Sequence, residues 1–555
     1  MRRLIAVASL FIICSILCFQ TAMFQEFPVS GSVMPVATPS SVLMFSTYIG
    51  GSDDDTVHSV AVDDNGSIYI AGTTKSNDLP SADGPRIPFS GSSDYFVMKL
   101  TNNCELVYTT YIGGTSADGI PNLHPDASCS IDVDQSGHVY MTGYTTSPDF
   151  PVVNAWDDTY NGNGDCFALK LSPSGDAIEY ATFIGGNKLD MGITISVDDL
   201  GNAYISGRTC SSDFPTLASF DDTLGGVQDC FLLKLNVTGQ IVYSTFVGGE
   251  SGGEGSHPNG LVIDTNGNAY IIGWTNSQDF PTVNAFDSTL DGISSDVFFC
   301  KVSSAGLLLA SSYYGGIATD ENGGIAVDGE GNIYISGHGS IGYPGTMVLS
   351  DHPEIFVAKF DSSGRNLIYS SVFGGMYFDN PFGLLIDQEG CLFVTGATGS
   401  SDFPMVKAYD STNNGLGDAF LTKLSSGGDN ILFSSYVGGN SSDMGISLAK
   451  TNSGTIYLVG ITNSTNFPTV STPFPMHQNL DGFLVTLENS WPNVPPEVTP
   501  STSTSSHQNP STTIVTEFGL SSNEINLLLI AGIGIELVVI FLLLQNSYKS
   551  SRKSQ

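Results

Sequence analysis

Seven times along the chain, a pair of strand-type residues runs into Gly-Gly: YIGG (48–51), YIGG (111–114), FIGG (183–186), FVGG (246–249), YYGG (313–316), VFGG (372–375) and YVGG (436–439). The copies lie about 60 to 70 residues apart, too far for short solenoid repeats and right for four strands with their loops. Within each unit, four apolar runs are separated by Gly, Asn, Asp and Pro. GGIAVD (323–328) typifies the first, NIYISG (332–337) the second, DAFLTKL (418–424) the third and ILFSSYVGG (431–439) the fourth. β-branched and aromatic residues fill the runs, and turn formers fill the breaks. No stretch of the repeat region shows sustained helical periodicity.

The ends of the array predict how it closes. It opens with a lone fourth-type strand, LMFSTYIGG (43–51), and ends on a third-type strand, DGFLVTLE (481–488). Pairing these two removes an exposed edge. The expected fold is therefore all-β: a seven-bladed β-propeller over 43–488, with four-stranded antiparallel blades, closed by its N- and C-terminal strands.

Two units, ISVDDLGNAYISGRTCSSDFP (195–215) and LVIDTNGNAYIIGWTNSQDFP (261–281), show the shared pattern most fully. It resembles the SBBP-type β-propeller repeat of secreted and cell-surface proteins. The resemblance implies an extracytoplasmic propeller and transfers no activity. Blade five departs from the pattern, GHGSIGYP (337–344) lacking Thr-x-Ser and Asp-Phe. Blade seven departs with Lys450 and Thr451 where Val-Asp is usual.

Outside the array, residues 1–22 have two Arg before an apolar run, which predicts a signal peptide, and 23–42 form a linker. Residues 489–524 are rich in Pro, Ser and Thr and predict an extended stalk suited to O-glycosylation. Residues 525–544, INLLLIAGIGIELVVIFLLL, are long enough for one transmembrane helix, and Lys549, Arg552 and Lys553 in the 545–555 tail place that tail in the cytoplasm. Glu536 sits inside this span, either as a protonated, tolerated carboxyl or as a contact for a partner helix. The expected location is a cell membrane, with the propeller outside. Sequons at Asn65, Asn236, Asn440 and Asn463 fall in predicted turns and fit that location.

The net charge of −37, from 18 basic and 55 acidic residues, argues against nucleic-acid or anionic-membrane binding and favours cations, basic partners or simple solubility. Seven Cys follow the signal peptide at uneven spacing: 104, 129, 166, 210, 230, 300 and 391. That is no disulfide framework. Most read as small buried apolar residues, with a Cys104–Cys129 bridge left open.

The longer loops (151–165, 215–229, 281–296, and the insertion 115–125) share one face, which makes it the candidate binding face. On it, counting back eight residues from the end of each first strand gives Asp55, Asp126, Asp190, Ser256, Asp320, Asp379 and Asp443. Two readings follow. An Asp soon after Gly-Gly fixes a turn through its own backbone. Alternatively, six carboxylates around the channel mouth form an oxygen-rich ring suited to Ca2+. Repetition favours the first. Asp63, Asp134, Asp198, Asp264, Asp328 and Asp387 read as turn residues, and Asp94, Asp165, Asp229, Asp296, Asp418 and Asp481 repeat too faithfully to be one active site. His124 and His257, with Asp126 and Glu254, are a second set of metal-ligand types in inserted loops.

No G-x-S-x-G, Walker A, Rossmann or H-E-x-x-H motif is present. The sequence thus predicts a surface-anchored ectodomain for binding, adhesion or recognition of an extracellular protein or glycan. The alternative is an extracellular glycan hydrolase or lyase that uses channel-mouth carboxylates.

Overall fold

A computed structural model describes residues 43–487, except Pro85, 120–128, 251–255, 291–294, 317–319, 340–341, Pro353, 471–473 and 475–479. The expected signal peptide, linker, stalk, membrane span with Glu536, and tail lie outside the described residues, as do Asp126, His124 and Glu254. Among the described residues, no helix is long and apolar enough to cross a membrane.

The strands form seven sheets, each a blade of a propeller. Blade one runs Asp55–Val62, Ile68–Thr74, Asp94–Leu100, Leu106–Ile112, and each strand pairs antiparallel with the next. The same order repeats through blade six. The seven first strands stand side by side around the axis in chain order, and Asp443–Lys450 meets Asp55–Val62 to complete the circle. In blade seven the outer strand is Leu43–Ile49. It runs antiparallel to Asp481–Leu487, from Leu43 opposite Leu487 to Ile49 opposite Gly482. This is the predicted closure.

Burial explains the sequence pattern. Middle strands are covered on both faces by neighbouring blades, so DCFLLKL (Asp229–Leu235) is buried throughout and reads as one apolar run. Outer strands start at the rim: Ile241–Val247 begins half-buried, then exposed, before five buried residues. The core lies between blades. Tyr140, Cys166 and Ala168 of blade two pack with Ile205, Phe231 and Leu233 of blade three. All seven described Cys are free, five of them buried, so Cys104 and Cys129 form no bridge.

The Phe of Asp-Phe-Pro is a core residue. Phe150, Phe214, Phe280, Phe403 and Phe467 lie 4.5–4.8 Å, centroid to centroid, from Phe167, Phe231, Phe298, Phe420 and Phe483 of the third strands. Blade five, which lacks this Phe, uses Tyr343 over Phe356 at 4.7 Å. It also gains a short fifth strand, Thr346–Val348, parallel to its outer strand.

Candidate functional site

Antiparallel order puts the interblade links and the second-to-third loops on one face, here the loop face. The short turns lie on the other, the turn face. On the loop face the repeated motif builds a clasp. In six of the seven Gly-Gly copies the second Gly donates its N–H to the Asp four residues on: Gly51 to Asp55 (2.6 Å), Gly114 to Asp118 (2.5 Å), Gly186 to Asp190 (2.8 Å), Gly316 to Asp320 (2.6 Å), Gly375 to Asp379 (2.6 Å) and Gly439 to Asp443 (2.7 Å). The Ser of Thr-x-Ser donates to the same carboxylate, as Ser76 does to Asp55 (2.9 Å) and Ser211 to Asp190 (2.8 Å). The Thr hydroxyl joins it from Thr74 and Thr145. The Asp of Asp-Phe-Pro then accepts the link N–H: Ser52 to Asp78, Thr115 to Asp149, Asn187 to Asp213 and Met376 to Asp402, at 2.9–3.0 Å. Gly-Gly, Asp, Thr-x-Ser and Asp-Phe-Pro therefore form one structural unit that ties each blade to the next.

Two details depart from the sequence expectation. In blade two the clasp acid is Asp118, not Asp126. An insertion follows Asp118, so counting eight residues backwards from the strand end stops short of it. The i+4 spacing from the second Gly would have found it. In blade five, Tyr343 donates its hydroxyl to Asp320 (2.7 Å), taking the place of the missing Thr.

The clasp acids Asp55, Asp118, Asp190, Asp320, Asp379 and Asp443 are all buried. Burial, with smaller offsets from these hydrogen bonds, pushes the Asp55 and Asp379 carboxyls up to about 6. Each serves its own junction. Among the described residues, no three or more His, Cys, Asp or Glu converge on a metal position.

The turn-face acids do fix turns. Asp264 accepts the N–H groups of Asn266 and Asn268 (both 2.9 Å), the Asn268 amide (2.7 Å) and the Tyr270 hydroxyl (2.9 Å). Third-strand lysines lie over the same tyrosines. Lys234 Nζ is 4.5 Å from the Tyr204 ring centre and 3.7 Å from Asp198, and Lys423 is 2.9 Å from Asp387. A cavity of about 420 Å3 opens there, lined by Asp198, Asp199, Lys234 and Asp264 among others, but the groups at its wall already bond one another.

The central channel holds a cavity of about 190 Å3 lined by all seven first strands or the residues leading into them. Its lining includes bulge residues left unpaired in the ladder: His58, Ile193, Asn259, Phe382 and Ile446. A bulge re-aims a side chain without disturbing the pairing on either side, so these positions vary freely from blade to blade. His58 bonds Thr56 through Nε2 (2.9 Å), and burial lowers its pKa to about 4.

One junction breaks the pattern on the loop face. The link residues are polar at Ser52-Asp53-Asp54 and Asn440-Ser441-Ser442, and Asn187-Lys188 open a third. Before blade six the chain reads Met376-Tyr377-Phe378, exposed by 60%, 60% and 51%. The backbone is held as elsewhere, Tyr377 N–H donating to Ser400 Oγ (2.8 Å). The Phe378 ring lies over Gly399 and Gly417, beside Leu416, which is 79% exposed. The signal was visible in the sequence but was absorbed into the Gly-Gly repeat. The sequon residues Asn65, Asn236, Asn440 and Asn463 sit in turns or links; Asn65 and Asn440 are exposed, Asn236 and Asn463 half-buried.

A family model for the SBBP beta-propeller repeat matches residues 45–80 and 246–281. The chain carries SBBP repeats. Both matches run from within one outer strand, through Gly-Gly and the first two strands of the next blade, to Asp-Leu-Pro or Asp-Phe-Pro. No curated protein matches the chain. A crystal structure of a protein of unknown function from Dyadobacter fermentans DSM 18053 is 10% identical, with 81% of this chain and 100% of that one covered and a TM-score of 0.36. Another of unknown function, from Bacteroides caccae, is 10% identical over 59% of this chain and 98% of that one, with a TM-score of 0.26.

Proposed function

We propose that this SBBP propeller is a surface-anchored binding ectodomain and that its recognition site is the Met376–Tyr377–Phe378 loop of the blade-six junction. The carrying observation is the break in symmetry. Where the links at Ser52-Asp53-Asp54 and Asn440-Ser441-Ser442 are polar, this one presents three adjacent large side chains on a backbone held by the clasp. Aromatic residues and Met are enriched where proteins bind one another, and a pre-ordered loop loses little entropy on binding. The surrounding negative charge suits a protein partner with an apolar spot in a basic surround. The expected signal peptide and membrane span would hold this face outside the cell.

The test is an array of extracellular proteins and glycans probed with the full chain in detergent. M376N/Y377S gives those two positions the residues of the blade-seven link. It should cut capture of a protein ligand at least tenfold without moving the melting temperature. Undiminished binding removes the loop from the function. Capture confined to glycans replaces the protein partner with a carbohydrate.

A further inference from the structure

The clasp acids are half of a larger arrangement. Over the first Gly of Gly-Gly, five of the six meet the acid that opens the third strand of the preceding blade; Asp379 does not, because that strand of blade five opens with Ile355. A Cβ built on Gly185 would stand 2.9 Å from Asp190 Oδ2 and 3.1 Å from Asp165 Oδ1. At Gly438 the distances are 2.8 Å to Asp443 Oδ2 and 2.8 Å to Asp418 Oδ1. At Gly113 the facing acids are Asp94 and Asp118. All six side chains are buried.

In the two better-defined pairs, Oδ2 of each acid accepts the N–H four residues upstream: Asn161 to Asp165 (2.9 Å), Gly186 to Asp190 (2.8 Å), Asn414 to Asp418 (3.0 Å) and Gly439 to Asp443 (2.7 Å). The Oδ1 atoms of Asp165 and Asp418 are buried without a hydrogen-bond partner, while the Thr209 and Thr462 hydroxyls approach the Asp190 and Asp443 carboxylates. Every ion pair among the described residues lies elsewhere. Two uncompensated carboxylates in one buried site repel each other and each carries a desolvation cost.

The nearby oxygens supply an answer. A Cβ on Gly91 would lie 3.0 Å from Asp94 Oδ1 and 2.7 Å from the Gly114 carbonyl oxygen, with the Ser116 carbonyl also against it. One on Gly162 would lie 2.9 Å from the Gly186 carbonyl. Carboxylates, carbonyls and hydroxyls, with no His or thiolate, form a hard-cation donor set.

We propose that the junctions Asp165/Asp190 and Asp418/Asp443 each take a Ca2+ ion, shared by carboxylates of two neighbouring blades, with remaining ligands from link carbonyls, hydroxyls and water. This differs from a ring at the channel mouth: the ions sit between blades and staple each to the next.

The experiment strips the full chain with EDTA at pH 8, restores Ca2+ or Mg2+, and reads bound metal by mass spectrometry alongside thermal melting. Retained Ca2+ of about one ion per junction, with a melting rise that Mg2+ does not reproduce, is expected. D165N/D190N should lose one equivalent and a matching part of the rise. If that variant does not fold, D418N alone should lose one equivalent. No Ca2+ bound at millimolar free ion, or binding unchanged in the variants, overturns the proposal. A melting rise produced by acid alone, with no response to Ca2+, assigns each pair a shared proton instead.

Discussion

In blade six, Asp387 closes the first strand with the Lys423 ammonium 2.9 Å away, while Asp379 opens the same strand and forms no ion pair. The contrast extends around the ring. On the turn face, burial pushes Asp134, Asp264 and Asp328 up, but hydrogen bonds more than offset it, and these carboxyls end below the usual range. On the loop face, burial wins: Asp55, Asp165 and Asp379 rise to about 6, Asp418 to about 7 and Asp229 to about 8. Both faces supply backbone N–H groups and hydroxyls to their acids. The turn face adds the Asn or His side chain four residues on, whereas on the loop face deeper burial beside another acid outweighs the hydrogen bonds.

The largest expected effect follows from this difference. A carboxyl whose folded pKa exceeds its unfolded value contributes stability fully below about pH 4 and loses it as pH rises through the folded pKa. In cation-free buffer, melting should therefore fall by about 5 °C or more between pH 5 and 8.5. The turn-face acids have the opposite sign, so stability should also drop below about pH 4. A flat calorimetric profile from pH 5 to 8.5 would erase the distinction between the faces.

Next in size is Lys423→Met, which leaves Asp387 buried without its cation. Unfolding free energy should drop by about 3 kcal/mol, read by denaturant titration. At the other end of the same strand, Asp418→Asn removes a charge rather than a partner. In EDTA at pH 8 it should leave stability unchanged or raise it by about 1 kcal/mol. Two losses of equal size would show that the faces do not differ. The smallest effect is Ser211→Ala, which strips one donor from Asp190 and should cost about 1 kcal/mol. A cost several times larger would mean that the clasp, not the interblade core, carries the junction.

Seven blades, their strand order and the closure were legible because each rests on a local signal: Gly-Gly at the strand end, turn residues at fixed offsets, and an unmatched strand at each terminus. Asp118 was missed because the count assumed an uninterrupted strand where blade two has an insertion. Tyr343 was missed because one side chain replaces two motif residues at once, Thr as donor and Phe as packing partner, from a segment resembling neither. The pairing of Asp165 with Asp190 was not legible because it joins strands of different blades, and repetition made Asp190 look like a turn former and Asp165 a feature of the fold rather than a site. Conversely, Met376-Tyr377-Phe378 was in plain view, but only the structure shows that these apolar groups point outward.

The outer strand of blade seven was made before any of the blade's other three strands. During synthesis Leu43–Ile49 emerges early and its ladder partner, Asp481–Leu487, nearly last. Entropy of joining such distant segments grows only logarithmically with their separation, so the delay is temporal rather than energetic. Until it ends, blades one and seven both lack a neighbour, and the strand waits with unpaired backbone groups. Loss of that one ladder at any later time would have the same result: a circle unfastened at one seam, with every other blade intact.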